Sequence, residues 1–199
     1  MPSRSKPILL VLVLVVALLA TSINLTGAQD VKVLRSAFLP GDLIIDPSLG
    51  HWVNEIQFVT MTYPGLTGFD EETVEIEPGI ASDWTMSEDG TTYTFNLIPD
   101  IPWVIYDAAQ GEVVQVTDEA GNVRTVTAQD VVYGTNRTLD PATAAVYGGT
   151  LAPWIVGGLE KLAGEDVELG VRAVDDLTVE FTSPKAASFL PMIYGMWMS

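Results

Sequence analysis

The chain has 199 residues, enough for one ordinary domain or one and a half, and no cysteine, so disulfides and a lipid-modified cysteine are both excluded. It carries 9 Lys and Arg against 26 Asp and Glu, a formal net charge of −17. A chain this acidic repels nucleic acid and anionic membrane surfaces, and its scattered acids read as a solvated, exported surface.

Arg4 and Lys6 precede an apolar run from Ile8 to Ala20, and Thr26-Gly27-Ala28 offers small residues before Gln29. Basic residues, about 13 apolar ones and then small ones are the layout of a cleaved secretory signal. A membrane-spanning helix needs about 20 apolar residues, and Thr21, Ser22 and Asn24 interrupt this run. Cleavage after Ala28 removes Arg4 and Lys6 and no acid, taking the charge from −17 to −19. Retention of the run as an anchor is the alternative.

Val31 to Leu39 reads as a first strand, broken by Pro40-Gly41-Asp42, and "IIDPSLGHW" reads as a loop. Ile56, Val59 and Tyr63 at helical spacing predict a helix over 54–63, stopped by Pro64-Gly65. A short strand follows over 73–76. In "ASDWTMSEDGTTYTFNL", Trp84 and Met86 alternate with polar residues, as do Tyr93, Phe95 and Leu97 after the turn. That period of two predicts a hairpin over 81–97, with Gly90 free to take positive φ in the turn. "VVQV" and "NVRTV" predict a second hairpin around "DEAGN". Thr127-Ala-Gln-Asp130 has capping-box spacing and starts a helix to about Thr138, burying Val131, Val132 and Thr135. Asp140-Pro141 opens a helical turn that Gly148-Gly149 ends. Pro153 to Leu162 reads as a short helix, "GVRAVDDLTVEFT" as strand, turn and strand, and Pro184 to Ile193 as a short apolar helix or loop. The apolar finish "FLPMIYGMWMS" suggests a fragment of a longer protein.

Five blocks in order carry a resemblance. They are "YPGL", "PGIASDW", "DGTTYTFNL", "TAQDV" and "AVDDLTVEF". Together they resemble the amino-terminal part of the family 5 extracellular solute-binding proteins, the substrate-binding components of peptide- and nickel-type ABC importers. The resemblance runs from about Val31 to the end. One departure is the stretch "VIYDAAQGEVVQVTDEAGNVR" between Trp103 and Thr127, which looks like an insertion. The family implies an α/β (α+β) fold, a two-lobe periplasmic-binding-protein architecture of type II with an extra small domain. The implied organisation is a signal peptide over 1–28, the start of lobe I over 29–66, and the extra small α+β domain of lobe I over 67–199, with the second lobe missing. It further implies no enzyme activity and no cofactor. Its partners would be a peptide or other small solute and the permease and ATPase subunits of an importer, at the periplasm or outer face of the cell membrane.

Single residues admit sharper and blander readings. Trp84, Tyr93, Phe95 and Trp103 form either a stacking platform or the small domain's core, and strand alternation favours core. By the resemblance, "LPGDLIIDPSL" and Tyr63-Pro64-Gly65-Leu66 lie where strand ends face the cleft. Asp42, Asp46, Trp52 and Tyr63 are the candidate ligand contacts, against the alternative of ordinary loop residues. His51, the one histidine, has no nucleophile motif and no Cys beside it, so it reads as a loop group. "DEE" and "SEDG" lack the alternating pattern of a calcium loop and read as solvated turns. The rival functions are a secreted polysaccharide hydrolase working with a carboxylate pair, and a surface-anchored adhesion module.

Overall fold

The computed structural model describes residues 43–198. The predicted signal, the predicted strand over 31–39 and Asp42 lie outside the described residues. The first helix, α1 (Val53–Thr62), starts one residue earlier than expected. Of its predicted stripe Val59 is fully buried, while Ile56 and Tyr63 are half-buried. Pro64 follows Tyr63 and cannot continue the ladder. β1 (Thr67–Phe69) then pairs antiparallel with β2 (Ile76–Pro78). The strand expected over 73–76 begins later because Val74 has φ 60, a left-handed turn conformation. Asp70 closes that turn, its carboxylate accepting the Glu72 and Thr73 N–H groups.

The predicted hairpin is β3 (Ala81–Met86) and β4 (Thr92–Leu97), with Trp84 opposite Phe95 and Met86 opposite Tyr93. Gly90 takes φ 71 in its turn. The next hairpin differs from expectation. The "DEAGN" segment does reverse the chain, with Thr117 bridging Val123, but the longer ladder lies earlier. It joins β5 (Val104–Asp107) to β6 (Glu112–Gln115). Asp107 caps the intervening turn by accepting the Ala109 N–H at 2.8 Å, and Gly111 supplies φ 72. The result is a three-pass meander in which Trp103 N–H donates to Arg124 C=O and Val116 N–H to Trp103 C=O.

Helix α2 (Ala128–Leu139) begins at the Thr127–Asp130 pair. It buries Val131 and Thr135 as expected and leaves Val132 half-buried. A 3₁₀ turn over Pro141–Thr143 follows. Gly148-Gly149 opens α3 (Gly148–Leu151) instead of ending a helix. Ala144, at φ 52, has already ended the preceding turn, and Gly148 is buried against the Thr138 carbonyl, 3.0 Å from where a Cβ would sit. The helix expected over 153–162 is split into a 3₁₀ turn (Ala152–Trp154) and α4 (Gly158–Leu162). Gly157, at φ 76, makes the break. Finally β7 (Val171–Ala173) and β8 (Thr178–Thr182) form the expected strand pair, and α5 (Leu190–Tyr194) follows.

Four strands join into one antiparallel sheet in the order β3-β4-β8-β7. Alternation drives Tyr93, Phe95 and Leu97 to the same face as Val179 and Phe181, all buried. Phe181 stacks on Tyr194 at 4.4 Å, and Phe95 meets both rings edge-on. Full burial of each such side chain contributes about 1.5–3 kcal/mol. α2 packs across β7 and β8. The core reading therefore holds for Tyr93 and Phe95 and in part for the half-buried Trp84, but not for Trp103. Trp103 lies at the root of the meander, with the Arg124 guanidinium 5.5 Å over its ring.

Candidate functional site

The loop ahead of α1 carries two of the candidate contacts, and three side-chain clamps fix it. The first is Asp46. Its two carboxylate oxygens accept from the two terminal nitrogens of Arg137 on α2, each at 2.7 Å. Fork-to-fork geometry of this kind is the strong form of an ion pair. The Arg137 guanidinium, and then the Ser48 N–H, hold the Asp46 carboxyl below the usual carboxylate range. The second is Ser48, buried, whose hydroxyl lies 3.0 Å from that of Thr138 on the same helix.

The third clamp is Glu55, which the sequence reading did not single out. It sits in the first turn of α1 and is 2% exposed. One oxygen accepts the Ile44 N–H at 3.1 Å. The other accepts the His51 N–H at 2.9 Å and the Trp52 N–H at 3.0 Å. These donors, with His51 and Trp52 foremost, hold its carboxyl below the ordinary range. The signal available was an acid three residues after the helix N-cap, but Trp52 at the cap has no acceptor, so the capping-box pattern was absent. Arg137 offered no signal at all, since its partner is 91 residues away.

Trp52 stands 67% exposed at the head of α1, beside the His51 ring at 5.3 Å. His51 is a loop group, its Nδ1 donating to the Leu49 carbonyl at 3.2 Å and lying 3.7 Å from Glu55. Tyr63 lies at the other end of α1, roughly 16 Å along the helix from Trp52 at 1.5 Å per residue. The structure thus places Asp46 and Trp52 on one loop and sets Tyr63 apart from them. Asp42 lies outside the described residues. A separate open groove of about 230 Å³ runs past Ile155, Val156, Leu159 and Pro184, and of the described candidate contacts neither Asp46, Trp52 nor Tyr63 lines it. Among the described residues no group of three or more His, Asp or Glu is placed to hold a metal ion. No helix among them is long and apolar enough to cross a membrane.

Comparison with known proteins bears on the chain's family. The sequence profile of the bacterial extracellular solute-binding proteins, family 5 Middle, matches residues 75–198. The oligopeptide-binding protein AliB of Streptococcus pneumoniae is 36% identical over 114 residues, which is 55% of this chain and 15% of that protein. Among solved structures, the murein tripeptide binding protein MppA of Escherichia coli superposes with a TM-score of 0.64 at 28% identity, over 78% of this chain and 27% of that one. The substrate-binding domain of an oligopeptide ABC transporter from Bacillus anthracis gives 0.63 at 33% identity, over 77% and 26%. The chain spans 15% of the length of the first curated relatives it matches.

Proposed function

The chain belongs to the bacterial extracellular solute-binding proteins of family 5, and from that premise we propose that it is part of the substrate-binding component of an ABC importer. It captures peptides or similar small solutes outside the membrane and delivers them to the permease. The observation that carries the reading is that its matched relatives are named for peptides, an oligopeptide-binding protein and a murein tripeptide binding protein among them. In this reading residues 1–28 are the export signal, 29–66 begin lobe I and 67–199 form its small α+β domain. Asp42, Asp46, Trp52 and Tyr63 contribute to the ligand wall. Trp52 supplies an exposed indole for apolar contact, and Asp46 works through the clamp that fixes its loop. The work is binding rather than bond-making: a solute shifts an open form to a closed one by its differential affinity for the two.

The test is a thermal-shift series on the full-length protein with di-, tri- and tetra-alanine, followed by titration calorimetry on any that act. A peptide at 100 times its Kd adds about 2.7 kcal/mol of stability. The expected outcome is a saturable rise in Tm with at least one of the peptides. A well-folded sample that responds to none of them overturns the peptide reading.

A further inference from the structure

The geometry points to Glu55 as the positioning residue of the ligand loop, an inference that rests on the peptide-binding reading above. Glu55 is a carboxylate removed from water, 2% exposed, on the first turn of α1. Such a group is costly unless every lone pair is answered, and where stability alone is at issue an apolar side chain serves as well or better. Here the answering groups are three backbone N–H groups, from Ile44 at one end of the loop and His51 and Trp52 at the other. Among the described residues the one cation-capable side chain beside it is His51, at 3.7 Å, while Arg137 is engaged by Asp46. The carboxylate therefore staples the two ends of a nine-residue span, 44–52, to a single point on a helix.

The consequence lies in what is left facing outward. With the His51 and Trp52 amides turned in toward Glu55, the Trp52 and Val53 side chains stand out at 67% and 78% exposure. The clamp of Asp46 to Arg137 fixes the middle of the same span to α2. A loop held this way by the protein's own groups loses little freedom on binding, which is how preorganisation raises affinity. Glu55 itself need not touch the solute.

Three forms of the full-length protein test this: wild type, Glu55→Gln, and Val59→Ala, which trims a buried side chain on the core-facing side of the same helix. Binding of di-, tri- and tetra-alanine is measured by calorimetry, Tm by melting, and the Ile44, His51 and Trp52 amides by hydrogen exchange. Gln keeps the size of Glu55 but replaces one acceptor oxygen with an NH₂ that faces an N–H. The expected result is a loss of at least tenfold in peptide affinity for Glu55→Gln, with faster exchange at those amides and β4 and β8 still protected. Val59→Ala should lower Tm as much or more yet hold Kd within about twofold of wild type. Equal Kd for Glu55→Gln and wild type, or equal Kd losses in the two variants, overturns the inference while leaving the peptide reading intact. If wild type binds none of the peptides the transport reading fails, and amide exchange still decides whether Glu55 holds the loop. Should Glu55→Gln not fold, wild-type exchange decides: Ile44, His51 and Trp52 amides as fast as those of the exposed 118–121 turn overturn it.

Discussion

At Asp46 and Arg137 the question is how much a two-pronged ion pair stabilises when it is not fully buried. The side chains are 32% and 30% exposed, so solvent screens part of the attraction. Arg137→Ala should lower unfolding stability by about 1 kcal/mol, between the surface value and that of a charged hydrogen bond in the interior. A denaturant midpoint at unchanged slope measures it, and a loss below about 0.3 kcal/mol means the pair adds nothing beyond a surface contact. The pH dependence follows from the same side chain. Arg137 depresses the Asp46 carboxyl in the folded state, and hydrogen bonds do the same for Asp70, Asp83, Asp89 and Glu55. Below the ordinary carboxylate pKa of about 4 the unfolded chain therefore holds more protons than the folded one. Stability from these groups is complete above about pH 5 and falls as pH drops through the folded values. Tm measured from neutral pH to about pH 3 should fall steadily on the acid side, and less steeply in Arg137→Ala. A Tm that rises toward acid would show that the carboxylates are not stabilised in the folded state.

Between elements, the decisive contact is a crossing of two glycines. The sequence reading took Gly65 as the stop after α1, and the structure adds a second role. A Cβ on Gly65 would land on the carbonyl of Gly195 at the end of α5, and one on Gly195 would strike the Thr67 hydroxyl. That close approach lets Thr67 donate to the Pro191 carbonyl at 2.9 Å, seating α5 on β1. Gly65→Ala must push the two backbones apart, with no flexible side chain to give way. We expect a loss of about 3 kcal/mol, at the upper end for overpacking. Gly149→Ala, where a Cβ meets open space, should change stability by less than about 1 kcal/mol. Similar midpoints for the two variants would mean that the β1–α5 crossing is not rigid.

Across the whole molecule, what could be read from the sequence was what repeats locally. Tyr93, Phe95 and Leu97 declared the core strand because a period of two cannot be mistaken once three apolar residues obey it, and the strand pair around Asp175-Asp176 followed in the same way. The loop ahead of α1 was only partly legible. Trp52 and Asp46 could be named as candidates, but Asp46 with Arg137 and Ser48 with Thr138 join residues about 90 apart, and no spacing announces them. The meander after Trp103 lay between these cases, since its turn residues were visible while the choice of ladder depended on Asp107 capping a tighter turn. That meander also supports a prediction of its own. Val104, Ile105, Tyr106 and Val113 are 55–64% exposed, so the β5–β6 ribbon buries little apolar surface. Its root is secured independently, with Arg124 paired to Asp130 at 2.7 Å and Trp103 stacked beneath it. Trp103 and Val116 are already hydrogen-bonded neighbours at 2.8 Å, so residues 104–115 can be replaced by an Asn-Gly turn without moving either end. Exposed insertions add little to stability and shorter connections close at slightly lower entropic cost. The shortened protein should melt within about 4 °C of the parent, equivalent to about 1 kcal/mol. A fall of more than about 10 °C would mean that the ribbon packs against the folded protein and is part of its core support.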